Sequence, residues 1–135
     1  MYILQHFTYN KEEKLKSRKA IEHLFTKGKS MSAFPIKMIY DLVDSSDTPL
    51  KAGVTVSSRT FKKAVQRNRV KRVLREAFRL QKTTLQTALK ERQQYLTIFF
   101  IFTGKELPVY VEVYEKMGIL LNKLAANIIK DKQID

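Results

Sequence analysis

Residues Ala64–Gln81 read AVQRNRVKRVLREAFRLQ, and this stretch constrains the fold more than any other. Val70, Val73, Leu74, Ala77 and Phe78 recur at i, i+3, i+4, i+7 and i+8, which is a single apolar stripe on a 3.6-residue period. Asn68, Lys71, Arg72, Arg75 and Arg79 fall on the opposite side of such a helix, and Arg67 and Arg69 stand at its two edges near the start. The spacing predicts a helix that adheres to a core by one face and presents cations on the other. Residues 48–75 hold nine Lys or Arg and no Asp or Glu. Charge of one sign at that density repels itself, and a polyanion lying against it would relieve the repulsion.

The whole chain repeats this bias. It has 26 Lys+Arg against 13 Asp+Glu, a net charge of +13 over 135 residues. That charge points to nucleic acid first and to an anionic membrane surface second. The length suits one domain over residues 1–135, able to bury about two-thirds of its unfolded surface. There is no Cys, so disulfides and thiolate chemistry are excluded, which suits a cytoplasmic protein. Residues 1–4 are apolar but too few for a signal segment, and no run approaches a membrane span.

The elements follow in order. Residues 1–14 have no clear periodicity and read as a possible flexible arm. Ser17 is a candidate N-cap for a short helix carrying Ile21, Leu24 and Phe25, with Gly28 as its stop. Residues 34–43 alternate. Phe34, Ile36, Met38, Tyr40 and Leu42 point one way; Pro35, Lys37, Ile39, Asp41 and Val43 point the other. After the turn material of 44–49, Ala52, Val54 and Val56 alternate with Gly53, Thr55 and Ser57. The two runs are expected to form an antiparallel hairpin, whose small polar face of Gly53, Thr55 and Ser57 suits a cleft floor and equally a plain solvated face. Residues 82–94 could extend the basic helix, form a second short one, or be a mobile loop. Residues 95–103 are apolar on both faces and read as an interior strand. Beyond Pro108, Val113, Met117, Leu120, Leu121, Leu124 and Ile128 mark a terminal amphipathic helix reaching about residue 130. Gly118 should weaken it slightly. The order implies an α+β two-layer sandwich, helices packed on a small sheet.

Catalytic constellations are scarce. His6 and His23 read as exposed, with no acid at a suggestive spacing. Glu12 and Glu13 are neighbours and would splay about 100° apart on a helix. Asp41, Asp44 and Asp47 resemble loose metal ligands but read more simply as turn residues. There is no Gly-rich phosphate loop and no zinc pattern. Nucleic-acid binding asks for less: cations at phosphate spacing, and flat side chains for bases, for which Phe25, Phe61 and the Tyr residues are candidates, each with a place in the core as its alternative.

The strings GVTVSSR at 53–59 and AVQRNRVKRVLREAFR at 64–79 closely resemble the protein subunit of bacterial ribonuclease P. The family pattern joins a G-[LIV]-x-V strand to a short basic loop and a helix containing R-N-R-x-K-R-x-x-R, and that core is complete here. Leu15, Ser17, Leu24, Phe25 and Gly28 resemble the family's first helix.

The resemblance implies a protein cofactor of a ribonucleoprotein that removes the 5′ leader from precursor tRNA. Its partners would be the catalytic RNA and precursor tRNA, with no membrane and no obligate protein partner. Mg²⁺ would be bound mainly by the partner RNA, with no cofactor and no catalytic residue on this chain. Arg67, Asn68, Arg69, Lys71, Arg72 and Arg75 would dock on the catalytic RNA, Asn68 also serving as a possible helix cap. Phe25, Lys37, Ile39, Thr55, Ser57 and Arg59 would line or edge a cleft for the single-stranded leader. The implied fold is like domain 2 of ribosomal protein S5, in α-β-β-β-α-β-α order, with a mixed four-stranded sheet and a left-handed β-α-β crossover. Two positions depart from the pattern: Ile21 and Ile39 stand where the family's cleft carries aromatics. Tyr40 is one residue from Ile39, and a one-residue slip, which would turn the strand's other face to the cleft, would restore an aromatic there. The loop at 60–63 is also one residue longer than in many members. The alternative from composition alone is a non-enzymatic basic RNA-binding protein of ribosomal type. A stand-alone nuclease lacks the catalytic groups.

Overall fold

The computed structural model describes residues 13–46 and 48–134. Its elements are α1 (Arg18–Lys27), β1 (Lys29–Ala33), β2 (Ile36–Val43), β3 (Leu50–Val56), α2 (Ala64–Gln81), α3 (Thr83–Glu91), β4 (Tyr95–Phe102) and α4 (Tyr110–Ile134). The arm expected at 1–14 lies outside the described residues except for Glu13 and Lys14.

One four-stranded sheet has the order β1-β2-β4-β3. β4 runs antiparallel to β2 and parallel to β3, and α2 and α3 form the crossover between the parallel pair. The hairpin expected between 34–43 and 52–56 does not form, because β4 is inserted between those strands. Alternation places each strand's faces but does not name its neighbours. A strand apolar on both faces, as β4 is, gains most by taking the interior position. Leu96, Ile98, Phe100 and Phe102 bury one of its faces in the main core, and Phe99 buries the other in a smaller cluster.

The real hairpin joins β1 to β2. β1, KSMSA, pairs Ala33 with Ile36 and Lys29 with Tyr40. Phe34 and Pro35 form the turn, joined by a cis peptide bond, so the strand begins at Ile36 rather than at 34. β1 escapes sequence detection because only Met31 and Ala33 in it pack against the core. Short polar strands suit a sheet edge.

The two faces of the sheet carry unequal layers. On one, α2, α3 and α4 cover a core that includes Ile36, Met38, Leu50, Val70, Leu74, Phe78, Leu89 and Leu120. On the other, α1 alone covers Leu15, Ile39 and Phe99 with its Leu24. α1 opens on Ser17, whose Oγ accepts from the Ala20 N–H at 3.3 Å. It closes at Gly28, whose N–H donates to the Leu24 carbonyl. A Cβ on Gly28 would meet that carbonyl at 2.4 Å, so the close is by contact rather than by a left-handed turn. Residues 82–94 resolve into the short helix α3 and its exit turn. Gly118 also has a packing reason: a Cβ there would come within 2.6 Å of Gln81 Oε1, where α2 passes α4. The Gln81 amide donates across that contact to the Tyr114 carbonyl at 2.9 Å.

Candidate RNA interface

α2 forms as its periodicity predicts. Val70, Leu74, Ala77 and Phe78 are buried and Val73 packs against them at the edge. Burying a Val, Leu or Phe side chain is worth about 1.5–3 kcal/mol. That anchors a helix with little terminal support, since its N-cap Lys63 makes no side-chain cap bond and its first turn holds no acid. Asn68 is the fifth residue of the helix and does not cap it.

The cationic residues of α2 divide. Asn68, Arg69, Arg72 and Arg75 are exposed and Lys71 is half-buried. Among the described residues, no carboxylate pairs with Arg69, Arg72 or Arg75. Arg67 is different. Its Nη1 donates to the carbonyls of Phe61 and Lys62, each at 2.8 Å, so it folds back and holds the loop that leads into the helix. Arg79 is also engaged: its Nε donates to Glu76 Oε2 at 3.2 Å. That hydrogen bond holds the Glu76 carboxyl below its ordinary range and raises Arg79. Burial, with Glu76 nearby, pushes the Tyr110 phenol up.

On the opposite side of the sheet the register lays out three rows. Lys37, Ile101 and Thr55 form one; Ile39, Phe99 and Gly53 the next; Asp41, Thr97 and Lys51 the third. Ile39 therefore shares the row of Phe99, while Tyr40 packs on the main core, which settles the parity of β2. Phe25, 48% exposed, meets Phe99 edge-on with ring centroids 5.4 Å apart. Ser57 and Arg59 lie just past the end of β3, where Ser57 Oγ accepts from the Arg59 N–H at 3.1 Å. The six expected cleft residues thus lie on or beside one face.

The hollow on this side, about 360 Å³, is lined by Lys14, Leu15, Lys16, Ile21, Ala52, Gly53, Val54, Arg75 and Phe99. None of the six expected residues lines it; it joins their patch through Phe99. Arg75, expected only on the docking face, reaches this hollow as well. Phe99 was hidden in a run apolar on both faces, where no alternation singles it out. Gly53 lies under its ring: a Cβ would stand 2.4 Å from Phe99 Cε1. Lys14 and Lys16 flank Leu15 in a strip that bridges β3 at Ala52, a contact that only the folded chain creates.

His23, expected to have no acid nearby, has its Nε2 3.5 Å from Asp41 Oδ2, across the gap between α1 and β2. Asp41 belongs to a strand and not to the turn after it. Asp47 lies outside the described residues. No three His, Asp or Glu side chains converge as metal ligands among the described residues, and no described helix is long and apolar enough to cross a membrane.

The Ribonuclease P family model matches residues 9–125. A ribonuclease P protein component from Porphyromonas gingivalis (strain ATCC 33277) is 37% identical over 123 residues, covering 90% of each chain. One from Borrelia turicatae is 26% identical over 118 residues, covering 87% of this chain and 93% of that one. Among solved structures, the Staphylococcus aureus RNase P protein superposes with a TM-score of 0.68 at 19% identity, over 84% of this chain and 96% of that one. The Thermotoga maritima RNase P protein gives a TM-score of 0.65 at 25% identity, over 82% and 96%. With the family model spanning most of its length and the same α+β fold in those structures, the chain belongs to the family of ribonuclease P protein components.

Proposed function

We propose that the chain is the RNA-binding cofactor of a cytoplasmic ribonuclease P, docking on the catalytic RNA through the open face of α2 and gripping the precursor-tRNA leader on the α1 side of the sheet. The observation that carries this reading is the exposed side of α2: Arg69, Arg72 and Arg75 stand clear of described carboxylates on a helix anchored by a buried stripe. Phosphates are the natural counter-charge for such a face, and contacts to them fix position without reading sequence. The cleft side supports the second role. Phe25 offers a half-exposed ring against Phe99, Lys37 and Arg59 lie on or beside the same face, and Lys14, Lys16 and Arg75 line the hollow that Phe99 shares, a combination that tolerates any leader sequence.

Hydrolysis belongs to the RNA in this reading. Mg²⁺ takes oxygen ligands with a demanding octahedral geometry. The acid-free span 48–75 and the lack of converging acids among the described residues fit poorly with a metal held by this chain. The metal would sit on RNA oxygens and supply the activated water; the protein binds and orients.

The test mixes protein and precursor tRNA in Mg²⁺, with and without the catalytic RNA, at low salt. No cleavage is expected from protein alone, and the protein should stimulate cleavage by the RNA. Cleavage by pure protein would overturn the assignment of chemistry to the RNA, and an unaffected RNA would overturn the cofactor role.

A further inference from the structure

The described chain begins with a buried ion pair. Glu13 and Lys82 are 69 positions apart in sequence, yet the Lys82 ammonium donates to Glu13 Oε2. Gln86 Nε2 donates to the same oxygen at 3.0 Å. Lys82 is 1% exposed and Glu13 9%. A buried pair of opposite charges does little for stability that an apolar pair would not do as well. Its best-attested use is to fix a register, because each partner tolerates only one place for the other.

What lies on either side of the pair indicates what it registers. Lys82 follows the last residue of α2 and precedes α3. Glu13 precedes the strip 14–16, which runs alongside β3. There the Leu15 N–H donates to the Ala52 carbonyl at 2.8 Å, and Lys14 bridges Ala52 in the parallel sense. Leu15 turns into the small core beneath α1, and Lys14 and Lys16 are exposed at the hollow that Arg75 and Phe99 also line. Lysines two residues apart on extended backbone stand about 7 Å apart, enough for each to reach its own phosphate.

We propose that Glu13 and Lys82 are positioning residues: the pair ties the strip 14–16 to the end of the basic helix and so holds Lys14 and Lys16, beside Arg75, where they take phosphates of the single-stranded leader. This rests on the leader reading above. It also makes docking and leader grip parts of one rigid unit, since the helix carrying Arg69 and Arg72 ends at the residue that pins the strip.

The test uses the holoenzyme reconstituted with catalytic RNA, on precursor tRNAs with a single-nucleotide leader and with a long one. Lys82→Met is expected to raise KM for the long-leader substrate about fivefold, the scale of a lost phosphate contact or two. It should leave kcat and the short-leader KM unchanged. Lys14→Ala with Lys16→Ala should give a similar long-leader rise, and adding Lys82→Met to that pair should give no further rise. Because one partner alone leaves a stranded charge, Glu13→Leu with Lys82→Met is measured too; it keeps an apolar contact and the fold, and the leader-selective rise should persist. A KM rise equal for both leaders, or losses that simply add in the triple variant, would make the pair structural and overturn the proposal. If Lys37→Ala, Arg59→Ala and the Lys14/Lys16 variant all leave the leader dependence untouched, the leader reading itself fails.

Discussion

A methyl group on residue 53 has nowhere to go, because the Phe99 ring already occupies its place. Gly53→Ala must displace that ring, and overpacking of this kind costs about 1–3 kcal/mol. A thermal melt should show the loss, with Phe25 and Ile39 freed from the ring that now abuts them. Arg67 carries a comparable local duty. Two carbonyl acceptors on the loop before α2 hold its guanidinium through a single nitrogen, Nη1. Glu76 and Arg79 form a pair of a different kind, one turn apart and partly exposed. The folded Glu76 carboxyl titrates below its ordinary value of 4.5, so its contribution is present above that pH and lost as pH falls through the lower folded value. Exposure keeps the effect small, about 0.3 kcal/mol. Denaturant melts of Glu76→Gln should fall below wild type by that amount at neutral pH and converge with it in acid.

At the scale of elements, α2 serves two purposes on its two sides. The buried stripe secures it, so its polar side is free to be chosen for binding. Its N-terminus is the positive end of the helix macrodipole and carries Arg67 and Arg69, an arrangement that opposes the isolated helix and favours one lying against phosphate. Reversing charge at Arg69→Glu with Arg72→Glu should therefore weaken assembly with the catalytic RNA while thermal melting stays near wild type. A collapse of the melt would instead assign both residues to the fold. α1 works with less. A single fully buried side chain, Leu24, seats it on the sheet, helped by the Ser17 cap and the contact at Gly28. Its position governs how far Phe25 stands over Phe99.

The whole molecule is a small α+β sandwich whose three-helix layer secures the sheet and whose thinner layer leaves a hollow open. Both proposed RNA surfaces draw on α2, through its outer cations and through Arg75 at the hollow. With about four phosphates neutralised at the docking surface by Arg69, Lys71, Arg72 and Arg75, log affinity for the catalytic RNA should fall with log salt at a slope of roughly −3 to −4. Filter binding over a salt series measures it. A shallow slope would mean that shape or apolar contact, not charge, carries assembly.

Much of this was legible along the chain. The stripe and the cations of α2, the cap at Ser17, the parity of β2 and β3 and the both-sided burial of β4 follow from local periodicity and side-chain chemistry. Those are properties of residues a few positions apart, and they determined most of the elements, β1 and α3 excepted, and the cationic character of α2. Tertiary structure alone decided which strand lies beside which, and with that the row of Ile39, Phe99 and Gly53, the partner that Asp41 offers His23, and the burial of Lys82 on Glu13. Each of these joins residues distant in sequence, and a register between distant segments is set by how whole faces pack, which no periodicity within either segment encodes.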